Sequence, residues 1–374
     1  MRVLFINSRS DALRSPGGDT IQAQKTQAAL ESLGVTVEVR AANDLQTLPE
    51  VDLAHIFNIQ EPEPAWTSLQ RLEEAGIPVV LSPIYWDMLA YWYEMAVNSI
   101  AFWQQLARLL GKETVKRIYL AWQRAKAPSK PDWQAQRRLL QHTRRALPNS
   151  QSEADLLQRF FNLGADFQQK VAVVPNAIDT DLYAQLPEPS QAFVQQHGVR
   201  DFILQVGTIN PVKNQLGLIE ALYDLPIPLV FIGPQQPAYQ EYGALCKERG
   251  AQRGRVVFID QLPHSQLPGI YATARVHALP SWRETPGLVS LEAAAAGCRV
   301  VTTAIGSTHD YFGDQAWYCY PDDQASIRKA VEQALAAPRP DALRQRVLTE
   351  FTWQKAAQAT LNAYQQVLTS RSKL

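Results

Sequence analysis

Two hydrophobic rhythms alternate along this chain. Short apolar runs rich in β-branched residues read as buried strands: RVLFIN from residue 2, then VTVEVR, VDLAHIFN and IPVVLSP. Between them, apolar residues three and four apart predict helices over about residues 19–33, closed by Gly34, and near 66–75. The second half repeats the order. DFILQVG, PLVFIG, RVVFID, RVHALP and CRVVTTAIG read as strands, and QLGLIEALYDL, AYQEYGALCKERG and LPGIYATA as the helices between them. Such alternation predicts parallel sheets covered by helices. The series breaks at VVPNAIDTDLYAQLPEPSQ, residues 173–191, where a strand is expected to run into a Pro-rich, polar connector. A chain of 374 residues exceeds the usual size of one core, so two doubly wound α/β domains with a cleft between them are the economical expectation.

Composition narrows this picture only a little. Hydrophobic residues make up 46% and charged residues 19%, ordinary values for a soluble globular protein. With 36 basic and 36 acidic residues, the overall balance gives no sign of nucleic acid as a partner. Cys246, Cys298 and Cys319 are too few and too scattered for a disulfide framework or a zinc site, and fit a reducing compartment. The first apolar run is too short for a signal peptide, and none approaches the ~18–20 residues that span a bilayer. A cytoplasmic protein, soluble or peripheral on a membrane face, is expected.

In sheets of this kind, ligands bind at the carboxyl ends of the strands. Three clusters fall there. Gly17-Gly18 precedes the first helix, where paired glycines either let the backbone approach a ligand or simply make a turn; G-x-G-x-x-G is absent. VGTINPVKNQ, residues 206–215, puts Lys213 at a strand end, either as a point charge for an anion or as a solvated loop lysine. The third cluster is PSWRETPGLVSLEAAAAG, residues 280–297. Pro286 suits the first helical position, which leaves the N–H groups of Gly287, Leu288 and Val289 free at the positive end of a helix dipole. Glu292 then lies roughly 9 Å along the axis from that start, with Glu284 on the loop before it. The two acids bracket an anion site instead of sharing one helical face. A ligand with a pyrophosphate between two hydroxyl-bearing ends, a nucleotide sugar, has the matching shape.

These residues make the chain resemble the retaining glycosyltransferases of family 4. The resemblance runs through the Gly-Gly loop, SQSEADLL at 150–157, VVPNAID at 173–179, VGTINPVKN, ALPSWRETPGLVSLEAAAAGCRVVTT and FTWQKAAQATLNAYQQVL, with E-x7-E the most specific element. It implies the GT-B architecture: two Rossmann-like domains facing a central cleft, an acceptor-binding domain at 1–180 and a nucleotide-sugar-binding domain at 181–350. Residues 351–374 would cross back to the first domain. It implies that Glu284 meets the donor sugar's hydroxyls, Glu292 the ribose and Lys213 the pyrophosphate. The backbone of Gly287, Leu288 and Val289 would hold phosphate oxygens, Gly18 would lie near the diphosphate, and Gln261 and Leu262 would lie by the nucleobase. It further implies transfer with retention, a nucleoside-diphosphate sugar as co-substrate, and no metal or other cofactor. Asp-Thr-Asp at 179–181 reads as turn chemistry.

The chain departs from the family pattern at two points. Thr208 stands where the family usually has an arginine, with Arg283 a replacement cation. The fourth strand ends in LSPIYWD without the usual histidine, leaving His55, one strand earlier, and Asp87 as substitutes.

Charge is lopsided in one segment. Residues 101–150 hold eleven Lys or Arg against Glu113 and Asp132, directly after the aromatic-rich IYWDMLAYWYEM. Val115, Ile118, Trp122 and Ala125 fall on one helical face, with Lys116, Arg117 and Arg124 off it. Basic charge beside aromatics suits an anionic membrane surface or a phosphorylated, lipid-linked acceptor, with a solvated face over an ordinary core as the alternative; the family resemblance also allows a glycan acceptor. Rival functions are a retaining glycosidase, whose carboxylates must face one sugar about 5 Å apart, a nucleotide-sugar epimerase, and a non-catalytic nucleotide- or glycan-binding protein of the same architecture.

Overall fold

The computed structural model describes residues 1–8, 18–42, 44–339 and 341–371. The chain divides into two compact units, Met1–Asn176 with Trp353–Leu374, and Ala177–Thr352. In the first, β1 (Arg2–Asn7), β2 (Thr36–Ala41), β3 (Leu53–Phe57), β4 (Val79–Ser82) and β5 (Arg145–Ala146) form a parallel sheet ordered β2-β1-β3-β4-β5. β3 and β4 are buried at every position, which is why their sequences are apolar on both faces instead of alternating, apart from the mutually bonded His55 and Ser82. Leu4, Ile6, Ile56 and Leu81 pack there with Leu69, Leu72, Leu139 and Leu140 from the flanking helices. Each such side chain stabilises the fold by about 1.5–3 kcal/mol. The last helix, Trp353–Arg371, belongs to this unit and packs on the first, Gly18–Ser32.

One open alternative is decided here and one local expectation is corrected. In the helix Lys112–Lys126 the buried residues are Val115 and Tyr119, whereas Ile118 and Trp122 are exposed. Val115 and Tyr119 join Tyr93, Ala96 and Val97 in a small separate core, so the apolar face read from spacing is rotated away from that core. The segment VVPNAID forms no strand: Val171, just before it, makes an isolated bridge to Ala146, and Ile178 within it one to Thr352, while Pro175 between them has no N–H to continue a ladder.

The second unit holds β6 (Ile203–Val206), β7 (Leu229–Ile232), β8 (Val256–Ile259), β9 (Val276–Leu279), β10 (Arg299–Thr303) and β11 (Trp317–Cys319). All are parallel, in the order β11-β10-β9-β6-β7-β8, with apolar layers on both faces. The first three strands step one way from β6 and the next three step the other way from β9. This is the doubly wound order of a dinucleotide-type fold, and its switch point lies between β6 and β9. Diverging connections leave a crevice above the carboxyl ends of those two strands.

Candidate functional site

Lys213 follows β6, and Glu284 follows β9, so the switch point brings together two residues 71 positions apart. Lys213 closes a short 3-10 turn, Pro211–Lys213, capped by Asn210, whose side chain accepts the Lys213 N–H at 3.1 Å. Its carbonyl accepts from Gln205 Nε2 at 2.7 Å. The next residue, Asn214, is buried with φ +57° and donates through Nδ2 to Pro280 O at 3.1 Å and Pro321 O at 2.9 Å. Trp282 N–H donates to Val212 O at 2.8 Å. These bonds lace the loop after β6 to the loop after β9. The outcome is an ion pair, Lys213 Nζ to Glu284 Oε1 at 2.7 Å, with the glutamate side chain 6% and the lysine 26% exposed.

Glu284 is pinned through its backbone. Its N–H donates to Ile305 O at 3.2 Å, and its carbonyl accepts from Ser307 N–H at 2.9 Å. Gly306, between those partners, has φ +119°, and a Cβ there would stand 1.9 Å from Glu284 O. Only glycine allows this approach. Beyond Glu284 the helix is Leu288–Ala295, and this corrects the expected start at Pro286. Gly287 takes φ +83°, outside helical geometry, and its carbonyl accepts the first helical N–H groups, from Ser290 at 2.9 Å and Leu291 at 3.2 Å. The amides of Leu288 and Val289 therefore precede the hydrogen-bonded ladder and occupy the positive end of the helix. Glu284 Oε2 lies 3.2 Å from where a Gly287 Cβ would stand, so the carboxylate leans over that helix start. Ala293, Ala294, Ala295 and Ala296 are fully buried, the small side chains letting the helix settle directly on the core.

Glu292 is neither a surface acid nor free. Tyr271 OH donates to its Oε2 at 3.2 Å, and His264 Nε2 lies 2.8 Å from its Oε1. Burial, with the Glu292 charge beside it, holds Tyr271 well above the usual phenol range, so it stays a donor. Beneath the helix start, His277 on β9 is fully buried with Nε2 3.1 Å from Ser290 Oγ. Burial, with Lys213 nearby, pushes it down to about 3, and it stays neutral. Gln261 is exposed and Leu262 half-buried on the loop after β8, just before His264. Thr208 is exposed, its Oγ1 accepting from Asn210 Nδ2 at 2.8 Å, and Arg283 is half-buried beside Glu284 in sequence. Asn214, His264 and Tyr271 carried no signal in the linear pattern; their roles arise from contacts 21 to 107 residues distant.

The remaining candidates belong to the first unit. Gly18 opens the first helix with open space where a Cβ would stand, and Gly17 lies outside the described residues. His55 is corrected to a core residue: 1% exposed on β3, with Nδ1 2.6 Å from Tyr364 OH and Nε2 2.9 Å from Ser82 Oγ. Its ring stacks on Phe57 at 3.9 Å, and burial pushes it down to about 3. A neutral, enclosed imidazole with both nitrogens engaged has no face for a substrate. Asp87, half-buried, accepts the Leu89 N–H at 3.1 Å at a helix start. Nearby, Glu153 is fully buried and accepts N–H bonds from Tyr85 at 2.7 Å and Asn149 at 2.6 Å, while Ser150 Oγ accepts the Glu153 N–H at 2.9 Å. Ser150 thus caps the helix, and the Glu153 carboxyl, reaching back past it, ties the loop after β4 to SQSEADLL. Burial raises Glu153 to about 7 against the pull of those two amides. Among the described residues, no group of three His, Cys, Asp or Glu is arranged to hold a metal ion.

Residues 190–348 match the family described as glycosyl transferases group 1. The O-antigen chain mannosyltransferase B of Escherichia coli is 28% identical over 221 residues, covering 55% of this chain and 56% of that protein. The chain spans about half the length of the curated relatives it matches. Among solved structures, sucrose-phosphate synthase from Thermosynechococcus elongatus superposes with TM-score 0.75 at 18% identity, covering 99% of this chain and 100% of that one. An Anabaena protein solved in complex with UDP does so with TM-score 0.64, also at 18% identity and with full coverage of both chains. These likenesses give the fold, GT-B, to which the two parallel sheets conform.

Proposed function

We propose that this chain, which belongs to the glycosyl transferases group 1 through residues 190–348, transfers a sugar from a nucleoside-diphosphate donor to a glycan or lipid-linked acceptor with retention of configuration. The observation that carries the reading is the Lys213–Glu284 pair set over the free amides of Leu288 and Val289 at the β6/β9 switch point. A diphosphate seated there meets one ammonium and two amide donors, positive charge placed where the leaving group becomes negative. Glu284, held in register by Gly306, accepts from the hydroxyls of the donor sugar. Glu292, its carboxylate oriented by Tyr271 and His264, accepts from the ribose. The bond from the anomeric carbon to the diphosphate oxygen breaks, and a bond to the acceptor oxygen forms on the same face. The acceptor proton passes to the departing phosphate oxygen. In this reading Lys213 and the helix amides neutralise the leaving group, and the nucleotide sugar is a co-substrate that needs no metal.

The neighbouring structure solved with UDP supports a nucleoside diphosphate as the ligand class. The mannosyltransferase likeness supports a place in glycan assembly. A non-catalytic binding protein is the second reading, favoured by Thr208, which is neutral where a second cation would help a leaving group. The test is release of nucleoside diphosphate from a panel of nucleotide sugars with and without acceptor. Lys213→Ala and Glu284→Gln should each lower acceptor-dependent turnover about 10²–10³-fold. Wild-type turnover in Lys213→Ala would sink the pyrophosphate role. Binding without turnover would select the second reading, and a donor isomerised while still on its nucleotide would identify an epimerase.

A further inference from the structure

The helices after β4 leave apolar side chains in solvent where a soluble helix ordinarily places charge. In Ala101–Leu110 none of the ten residues is buried. Its inner side, Trp103, Leu106 and Ala107, rests on the small core around Tyr93, Val115 and Tyr119. Its outer side carries Phe102, 62% exposed, and Leu109, 81% exposed. The following helix, Lys112–Lys126, adds exposed Ile118 and Trp122. Its aromatic part is connected across the two helices: the Trp103 ring lies 5.1 Å from Phe102 and 5.9 Å from Trp122. Single exposed apolar residues are commonplace, but a connected group of them with large rings marks a contact surface.

Charge selects the occupant. Residues 101–130 hold seven Lys or Arg and a single acid, Glu113. Lys126 Nζ sits 4.3 Å over the Trp122 ring at the margin of the patch. A second copy docking by the same face would bring two such basic segments together, which is unfavourable. A layer of anionic headgroups over an acyl interior matches both features at once, since cations meet phosphates while rings and aliphatic tips enter the boundary beneath. Among the described residues, no helix is long and apolar enough to cross a membrane. We propose that the helices Ala101–Leu110 and Lys112–Lys126 dock this protein on an anionic bilayer surface, with Phe102, Leu109, Ile118 and Trp122 at the headgroup–acyl boundary. The proposal concerns the first unit alone and stands whether or not the second unit transfers sugar.

Co-sedimentation of the full chain with vesicles tests it, comparing pure phosphatidylcholine with a mixture containing about 30% phosphatidylglycerol. Binding is expected with the anionic vesicles and should weaken as salt rises. Each cation at the surface contributes about fivefold in affinity, so Arg117→Glu combined with Arg124→Glu should lower binding at least about 25-fold. Phe102→Ser with Leu109→Ser should also lower it, at unchanged melting temperature because both side chains are exposed. Failure to sediment with anionic vesicles at low salt would overturn the proposal, as would equal binding by the charge-reversed variant. Light scattering that finds a dimer dissolved by Phe102→Ser, with no vesicle binding, would assign the patch to a second copy instead.

Discussion

At the scale of single residues, the ion pair between Lys213 and Glu284 changes what each side chain can be. Glu284 is nearly buried, and a buried carboxylate is stable only when paired and hydrogen-bonded, so the lysine holds the acid in place besides the charge it would offer a ligand in the proposed function. His55 makes the complementary point. It is a histidine near strand ends, yet Tyr364 and Ser82 occupy both its nitrogens. Tyr364→Phe would leave Nδ1 buried without that partner, a cost of about 1–3 kcal/mol. Urea denaturation should register the loss while nucleotide affinity stays at the wild-type level; a variant of normal stability but impaired turnover would return His55 to the chemistry. The sequence pointed to the acids, the lysine and the glycines because their types and local spacing carry meaning. It did not reveal that Glu284 and Lys213 touch, nor that His264 and Tyr271 hold Glu292, because those pairings are made by the sheet and not by proximity in the chain.

At the scale of elements, β3, β4, β6, β7 and β9 were legible because burial on both faces writes a nearly unbroken apolar run, and the exposed edge strand β2 through its alternation, TVEVRA. β5 and β11 were not, being two and three residues long and without a period of their own. The helices between residues 89 and 142 were also obscured: their apolar residues serve both a small inner core and the outer surface, so spacing alone did not say which of them face the core in Lys112–Lys126. The helix over Leu288–Ala295 was expected, but its start was displaced from Pro286 because Gly287 leaves helical geometry. What holds Glu284 is less that helix than the bridge of loops beneath it. Gly306→Ala would drive a methyl into Glu284 O from a backbone conformation that alanine rarely adopts. The expected result is about 1–3 kcal/mol lost in stability, together with turnover reduced more than about tenfold, read by denaturation and by nucleoside diphosphate release. Unchanged kinetics would mean that Glu284's register does not matter.

At the scale of the molecule, two α/β units, each with its own sheet, carry different features. The second holds the Lys213–Glu284 pair and the proposed anion site at its switch point, and the first holds a buried polar framework at its strand ends and a basic, aromatic surface on its inserted helices. The overall charge of zero conceals that last feature entirely, since the positive excess of residues 101–150 is offset elsewhere in the chain. The functional reading turns on one property: the β6/β9 crevice binds a nucleoside diphosphate through Lys213. Thermal denaturation with a panel of nucleoside diphosphates and their sugars puts that property to the test. One base should raise the melting temperature, with stabilisation of about 2.7 kcal/mol at a hundredfold excess over Kd, and the same ligand should leave Lys213→Ala almost unmoved. No shift with any nucleotide, or an equal shift in Lys213→Ala, would refute it.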